Sequence, residues 1–320
     1  MAASKCSAGF DPASRRRELR LRWFQLPLAR RHFPLVLTAC LNACGQERAP
    51  LDGGAYDAFH TPEDVSKGYG GEAMEPFLTR DGGLLLFNNR NDPSVNTNLH
   101  WARRVDDLTF SYLGEIPGVN SEALDAVPSM DRDGNLYFVS TRSYPQTFST
   151  IYRARIRDGI ADAPQLAPGI SRLTPGWVNF DAEISADGNT LYLVDAYFGN
   201  TGQPQSAILT DAVRSRNGFT RVKEHNRLFA NVNSDWLQYA MALSADELEL
   251  FFTRVRRIES SARPAIFRSV RARLTEPFSV PQRIGAIQGF AEAPTLSPDG
   301  RSLYYHVLLQ GRFGIRRVTR

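Results

Sequence analysis

The chain has 320 residues, with 38 Lys and Arg against 34 Asp and Glu, an apolar fraction of 42% and a charged fraction of 22%. That balance excludes a disordered chain, and 24 Gly with 19 Pro supply turns for many short strands. The net charge of +4 originates in the first 44 residues, which hold eight of the bases and only two of the acids, Asp11 and Glu18; the rest carries 30 bases against 32 acids. A body so balanced lacks the positive surface that phosphate binding needs, so nucleic acid is not an expected partner.

Residues 1–44 read as a leader. Arg30, Arg31 and His32 precede the short apolar run 33–39, the order of a charged n-region and an apolar h-region, too short to span a membrane. The Arg-rich stretch ahead of it is long for a signal, which makes Leu28 an alternative start. Cys40 follows Leu37-Thr38-Ala39 and Cys44 follows Leu41-Asn42-Ala43, and both strings resemble the lipobox of bacterial lipoproteins. The resemblance implies lipidation at Cys44, with Cys40 as the alternative, and membrane attachment through that N-terminal lipid. Gly45 after the cysteine implies the periplasmic side of the outer membrane; a soluble secreted or periplasmic protein is the alternative. No cysteine follows residue 44, so no disulfide can staple the body.

From residue 72 onward one unit recurs five times. Its anchors are Asp81, Asp133, Asp187, Asp246 and Asp299, separated by 52, 54, 59 and 53 residues. Each anchor follows a short apolar run and precedes an alternating apolar strand. Gly82, Gly134, Gly188 and Gly300 complete Asp-Gly hairpin turns, in which glycine accepts a positive φ without steric cost. The fourth unit has Glu247 at this place, which predicts a different turn there. A third strand follows 14 to 19 residues after every anchor, as at 150–157 and 265–272. In it Arg153, Arg155 and Arg157 alternate with smaller or apolar residues and read as a solvated face, with a binding stripe as the lesser reading.

Ser297-Pro298-Asp299-Gly300, with the partial matches at 185–188 and 244–246, resembles the PD40 family of WD40-like propeller repeats, the TolB type. The resemblance covers about residues 72–320 and implies an all-β propeller of four-stranded blades. Five blades are predicted, with six as the alternative if the longest interval, 187–246, hides another. The chain ends on a third strand, so residues 45–71 are expected to supply the missing outer strand and close the ring.

No catalytic string such as His-Glu-x-x-His, Gly-x-Ser-x-Gly or a phosphate loop occurs, and the five histidines are scattered. No cofactor or metal is expected, and Asp131-Arg-Asp-Gly-Asn135 reads as a turn rather than a calcium loop. Glu75, Asp125, Asp181 and Glu292 precede the strands at what would be one rim of the central channel. Trp101, Trp177, Trp236, Tyr197 and Tyr239 read as inter-blade packing more readily than as a ligand platform. The expectation is therefore a non-enzymatic, monomeric binding module for an envelope protein or a glycan. The alternative is a five-bladed glycosidase-like enzyme using the rim carboxylates.

Overall fold

The computed structural model describes residues 52–92, 96–199, 202–223, 225–255 and 263–320. The leader with Cys6, Cys40 and Cys44 lies outside them. Among the described residues no helix is long and apolar enough to cross a membrane.

Five antiparallel sheets are arranged in a ring. Their inner strands are Met74–Leu78, Asp125–Met130, Trp177–Ile184, Leu237–Leu243 and Ala291–Leu296, and each turns back into a second strand at its Asp-anchored hairpin. Among the described residues the interval 187–246 contains no sixth blade; it holds the ten-residue strand Ser206–Ser215, its partner Gly218–Arg221 and the short helix His225–Leu228. The apolar faces pack blade against blade in five clusters, one per junction. Phe77, Leu86 and Trp101 meet Phe138 and Tyr152 between the first two blades, for example, and Leu85 and Phe87 meet Tyr304 and Ile315 between the first and the last. A continuous belt of such contacts is what a closed ring requires, each buried aromatic contributing roughly 1.5–3 kcal/mol.

Closure occurs as the repeat count demands. Glu63–Asp64 pairs antiparallel with Arg317 and Arg316 of the last third strand, Arg312–Thr319. The backbone pairing is reinforced by Arg316–Asp64 at 2.6 Å and Arg317–Glu63 at 2.8 Å. Ala55–Tyr56 adds to the fourth blade instead, parallel to Gln282–Ile284, so the N-terminal segment ties two blades together.

The turn signature has a definite physical task. In four units the hydroxyl at the first motif position donates to the anchor carboxylate and accepts the N–H five residues on, as when Ser297 Oγ donates to Asp299 at 2.5 Å and accepts from Ser302 at 2.9 Å. In the second unit Asp131 takes this role, accepting from Asp133 and Asn135 N–H at 2.9 Å, so the organising carboxylate there is Asp131 rather than the anchor Asp133. The expectation of a different fourth turn is corrected. Glu247 adopts φ +58° and its N–H donates to Ser244 O at 2.8 Å, matching Gly188 and Gly300 at +73°. Its carboxylate accepts from the Tyr192 hydroxyl at 2.5 Å and lies 4.0 Å from Arg271, contacts that a glycine would forgo and that offset the left-handed strain.

A Cβ on Gly188 would sit 2.7 Å from Asp131 Oδ2, whereas one on Gly300 would find its nearest atom at 3.5 Å, on the Arg320 guanidinium. Gly300→Ala is expected to cost about 1 kcal/mol of left-handed strain and Gly188→Ala about 2 kcal/mol. Urea unfolding of the two variants checks the order; equal losses would mean that the Asp131 contact is not felt.

Candidate active site

Every inner strand carries one extra residue relative to its partner, with register breaks after Met74, Ala126, Asn179, Tyr239 and Glu292. In four blades the first bulged residue has positive φ: Glu75, Val127, Ala240 and Ala293. Proline follows it at 76, 128 and 294, a residue without an N–H that suits a place outside the ladder. The N–H released at each of these bulges is accepted by the preceding blade. Glu75 donates to His306 Nδ1 at 3.1 Å, Val127 to Asn88 Oδ1 at 3.1 Å, Ala293 to Thr253 Oγ1 at 3.0 Å, and Ala240 to the Asp181 carboxylate. The bulges thus stitch the ring together and swing the side chains beside them into the channel.

Three of the four rim carboxylates read from the sequence converge there. Glu75, Asp181 and Glu292 are 5%, 4% and 1% exposed and interact electrostatically through Glu75. Asn91 Nδ2 donates to Glu75 Oε1 at 2.7 Å. Glu292 receives the Tyr239 hydroxyl on one oxygen and approaches His306 Nε2 at 3.1 Å with the other. Because His306 Nδ1 accepts the Glu75 N–H, its proton belongs on Nε2, which donates to Glu292. Asp125 stands apart: its carboxylate accepts Ser121 N–H at 2.5 Å, Ser121 Oγ at 2.7 Å and Arg142 at 2.5 Å, which holds the loop leading into its strand.

Burial pushes the Glu75 carboxyl up to about 7, with Glu292 adding to the rise while His306 and Asn91 hold it back. Asp181 is raised well above the usual carboxylate range by burial and then by Glu75 and Glu183, against which the Ala240 and Ala182 N–H groups act. Burial and the neighbouring Glu292 likewise keep the Tyr239 hydroxyl protonated. Glu75 and Asp181 therefore titrate as a coupled pair that retains protons near neutral pH.

Glu183, two residues past Asp181, is neutralised differently. Arg80 donates to its Oε1 at 2.8 Å and also reaches Met130 O and Ile184 O, bridging three blades at the turn end of the channel, while Ser129 Oγ donates to Glu183 Oε2 at 2.7 Å. Between this ion pair and the acids lies a cavity of about 20 Å³, room for one water. At the opposite end, Trp177 opens the strand that carries Asp181. It packs on Tyr197 with ring centres 5.4 Å apart, and the Arg172 guanidinium lies 3.9 Å from its centre. Tyr197 is 36% exposed, so this pair forms a half-open aromatic surface rather than core, whereas Trp101 packs between blades and Tyr239 sits on Glu292.

His306, Asn91, Glu183 and Arg80 escaped the sequence reading. One signal was present: Asn88, Ser140, Thr253 and His306 are polar residues seven places past their anchors inside otherwise apolar strands, and three of the four accept the bulge N–H of the next blade. Among the described residues no His, Cys, Asp and Glu side chains group as a metal site.

No family model matches the chain and no curated protein does, so the PD40 resemblance rests on the turn motif itself. Solved structures do match. TolB from Acinetobacter baumannii is 15% identical with a TM-score of 0.42, over 78% of this chain and 54% of that one, so the chain spans about half of TolB. A thermostable family-43 glycoside hydrolase is 12% identical over 81% of this chain and 91% of its own, with a TM-score of 0.51. A family 117 glycoside hydrolase from the marine bacterium Zobellia galactanivorans is 14% identical over 81% and 90%, with a TM-score of 0.52. What the two glycoside hydrolases share with this chain is the fold, the five-bladed β-propeller. The expectation of a non-enzymatic protein is corrected by these two neighbours, since the fold they share with this chain is one that houses glycoside hydrolysis.

The raised carboxyl of Glu75 sets a pH dependence. Unfolded, Glu75 ionises near 4.5; folded, near 7. Between those values the folded state holds the extra proton, so the stability due to Glu75 is complete below about 4.5 and is lost as pH rises through about 7, a change on the order of 3 kcal/mol. Glu75→Gln, which keeps the acceptor for Asn91, should match the parent near pH 4 and exceed it by 1–3 kcal/mol at about pH 8 in urea unfolding. A variant less stable than the parent at pH 8 would show that Glu75 is held ionised.

Proposed function

We propose that this chain is a glycoside-hydrolase-type propeller in which the channel acids cleave a glycosidic bond presented at the open end of the channel. One observation carries the reading: Glu75 and Asp181 lie in one buried, coupled cluster, each raised above the ordinary carboxylate range. Glycoside hydrolysis needs one carboxyl group that is protonated at working pH to donate to the leaving oxygen and one that is ionised to activate water or attack the sugar. Two carboxyl groups that titrate as a coupled pair furnish both forms over the range between their two steps. Glu75 is the general acid and Asp181 its partner. Glu292, wired to Tyr239 and His306, positions the charge around Glu75 through the Glu75 N–H to His306 contact. The Trp177–Tyr197 surface offers an apolar face for a sugar ring. The two glycoside hydrolases with this fold support the reading by analogy alone.

The narrowness of the channel, about 20 Å³ beside the acids, favours as second reading a propeller that holds a glycan at its mouth without cleaving it. Reducing-sugar release from a panel of plant and algal polysaccharides and aryl glycosides separates the two. The expected result is turnover that falls at least about 100-fold in Glu75→Gln and in Asp181→Asn, with both variants folded by circular dichroism. Turnover unchanged in Glu75→Gln would remove the hydrolase assignment, and glycan binding without turnover by the parent would leave the second reading.

We further propose export and lipid anchoring at Cys44, or at Cys40, supported by the leader's order of charged run, apolar run and lipobox-like string. A mass spectrum of the membrane-extracted protein is expected to show a mature chain starting at one of these cysteines and carrying acyl chains. An intact Met1 N-terminus would overturn the anchor.

A further inference from the structure

A groove of about 470 Å³ lies on the outer part of the junction between the second and third blades, on neither the channel nor its mouth. One wall is the third strand of the second blade, Ile151–Arg157; the other is the turn joining Ser206–Ser215 to Gly218–Arg221. On the strand, residues of odd number share one face. Ile151 joins the apolar cluster of this junction, and outward from it Arg153, Arg155 and Arg157 replace apolar residues on that same face. Arg214 and Arg216 come from the facing turn, and Asp162 is the one acid of the lining.

The charge here is not balanced as it is elsewhere. Arg80, Arg142, Arg172, Arg221, Arg268 and Arg320 each lie within 3.1 Å of a carboxylate. None of the groove arginines forms such an ion pair among the described residues. Arg214 is held in place by Gly188 O at 2.6 Å and the Tyr137 hydroxyl at 3.0 Å and covers the Phe219 ring; Arg153 donates to Asn135 at 2.5 Å. These are neutral acceptors that fix the guanidinium planes without neutralising them. The Nε of Arg155 is buried with no hydrogen-bond partner at all. With Asp162 in the lining and Asp131 behind Arg153 and Arg214, five guanidinium groups face two carboxylates and keep a net positive charge, and planar forks with free donors are matched by the paired oxygens of a carboxylate, sulfate or phosphate.

We propose that this groove binds an oxyanion-bearing ligand, with two or more anionic groups on one molecule engaging Arg155, Arg157 and Arg216 together. The volume suits a small organic ligand or a short saccharide. A polyphosphate anion and a uronate oligosaccharide share this chemistry, and the measurement separates them. The site is remote in the fold from the channel acids, so the inference stands whether or not the chain is a hydrolase.

The test is isothermal titration of the full chain with pyrophosphate and, separately, with trigalacturonate, at 50 and 200 mM salt. Saturable binding of at least one probe, weakened at the higher salt, is expected. It should fall at least tenfold in the exposed double variant Arg157→Ala/Arg216→Ala and in Arg155→Ala, and stay unchanged in Glu75→Gln. Binding of trigalacturonate alone assigns the groove to a saccharide, and binding of pyrophosphate assigns it to a phosphate ligand. Absence of binding by both probes, or binding that survives the double variant in a folded protein, would overturn the proposal. Loss in Glu75→Gln instead would place the binding in the channel and overturn it as well.

Discussion

The inner strands of neighbouring propeller blades share no hydrogen-bonded ladder, so the inner belt must be held by contacts that pass from each blade to the next. In this protein the inner belt depends on a one-residue bulge in every inner strand. A bulge breaks the ladder and leaves an N–H that cannot be buried unpaired without costing about 1–3 kcal/mol. Here that N–H is given to His306, Asn88, Asp181 or Thr253 of the blade before. The same local irregularity therefore links blades and re-aims side chains. Glu75 and Asp181 are bulge residues themselves, and Glu292 immediately precedes one.

Concentrating acids in a narrow channel is costly unless the charge is removed or matched. The protein uses both means within a few residues. Glu183 is matched by Arg80, whose single guanidinium also caps one carbonyl of the second blade and one of the third. Glu75 and Asp181 instead keep protons, because burial and their mutual proximity disfavour ionisation. Glu292 is steadied by two donors. The consequence is a stabilised, charge-matched end and a proton-holding end in one channel. That asymmetry gives the channel a chemical direction which five equal blades alone would not have.

Closure shows the same economy of parts. The last blade lacks an outer strand in sequence order and receives Glu63–Asp64, while Ala55–Tyr56 lies on the neighbouring blade. Two short pieces of one segment thus hold the last two blades, and the Arg316 and Arg317 ion pairs fix their register. Arg320 at the C-terminus reaches Glu249 and the Tyr56 hydroxyl, so both ends of the described chain meet on the fourth blade.

The repeat, the blade number and the closing strand were legible in the linear chain because they depend on local chemistry that recurs. A hydroxyl, a carboxylate and a residue able to take positive φ close the same turn wherever they occur at that spacing, and near-constant intervals count the blades. Glu247 shows the limit of that logic, since a non-glycine residue holds the same turn once Tyr192 and Arg271 from outside the turn receive its side chain. The carboxylates of the channel were legible as a set but not in their roles. Asp125 and Glu75 look alike in sequence, yet one meets Arg142 and Ser121 and the other meets His306 across the ring closure, 231 residues away. Which acid keeps its proton, which is neutralised by Arg80, and which arginines are left facing a groove are decided by distances between blades. Such distances exist only once the ring is closed, because charge and burial act through space and not along the chain.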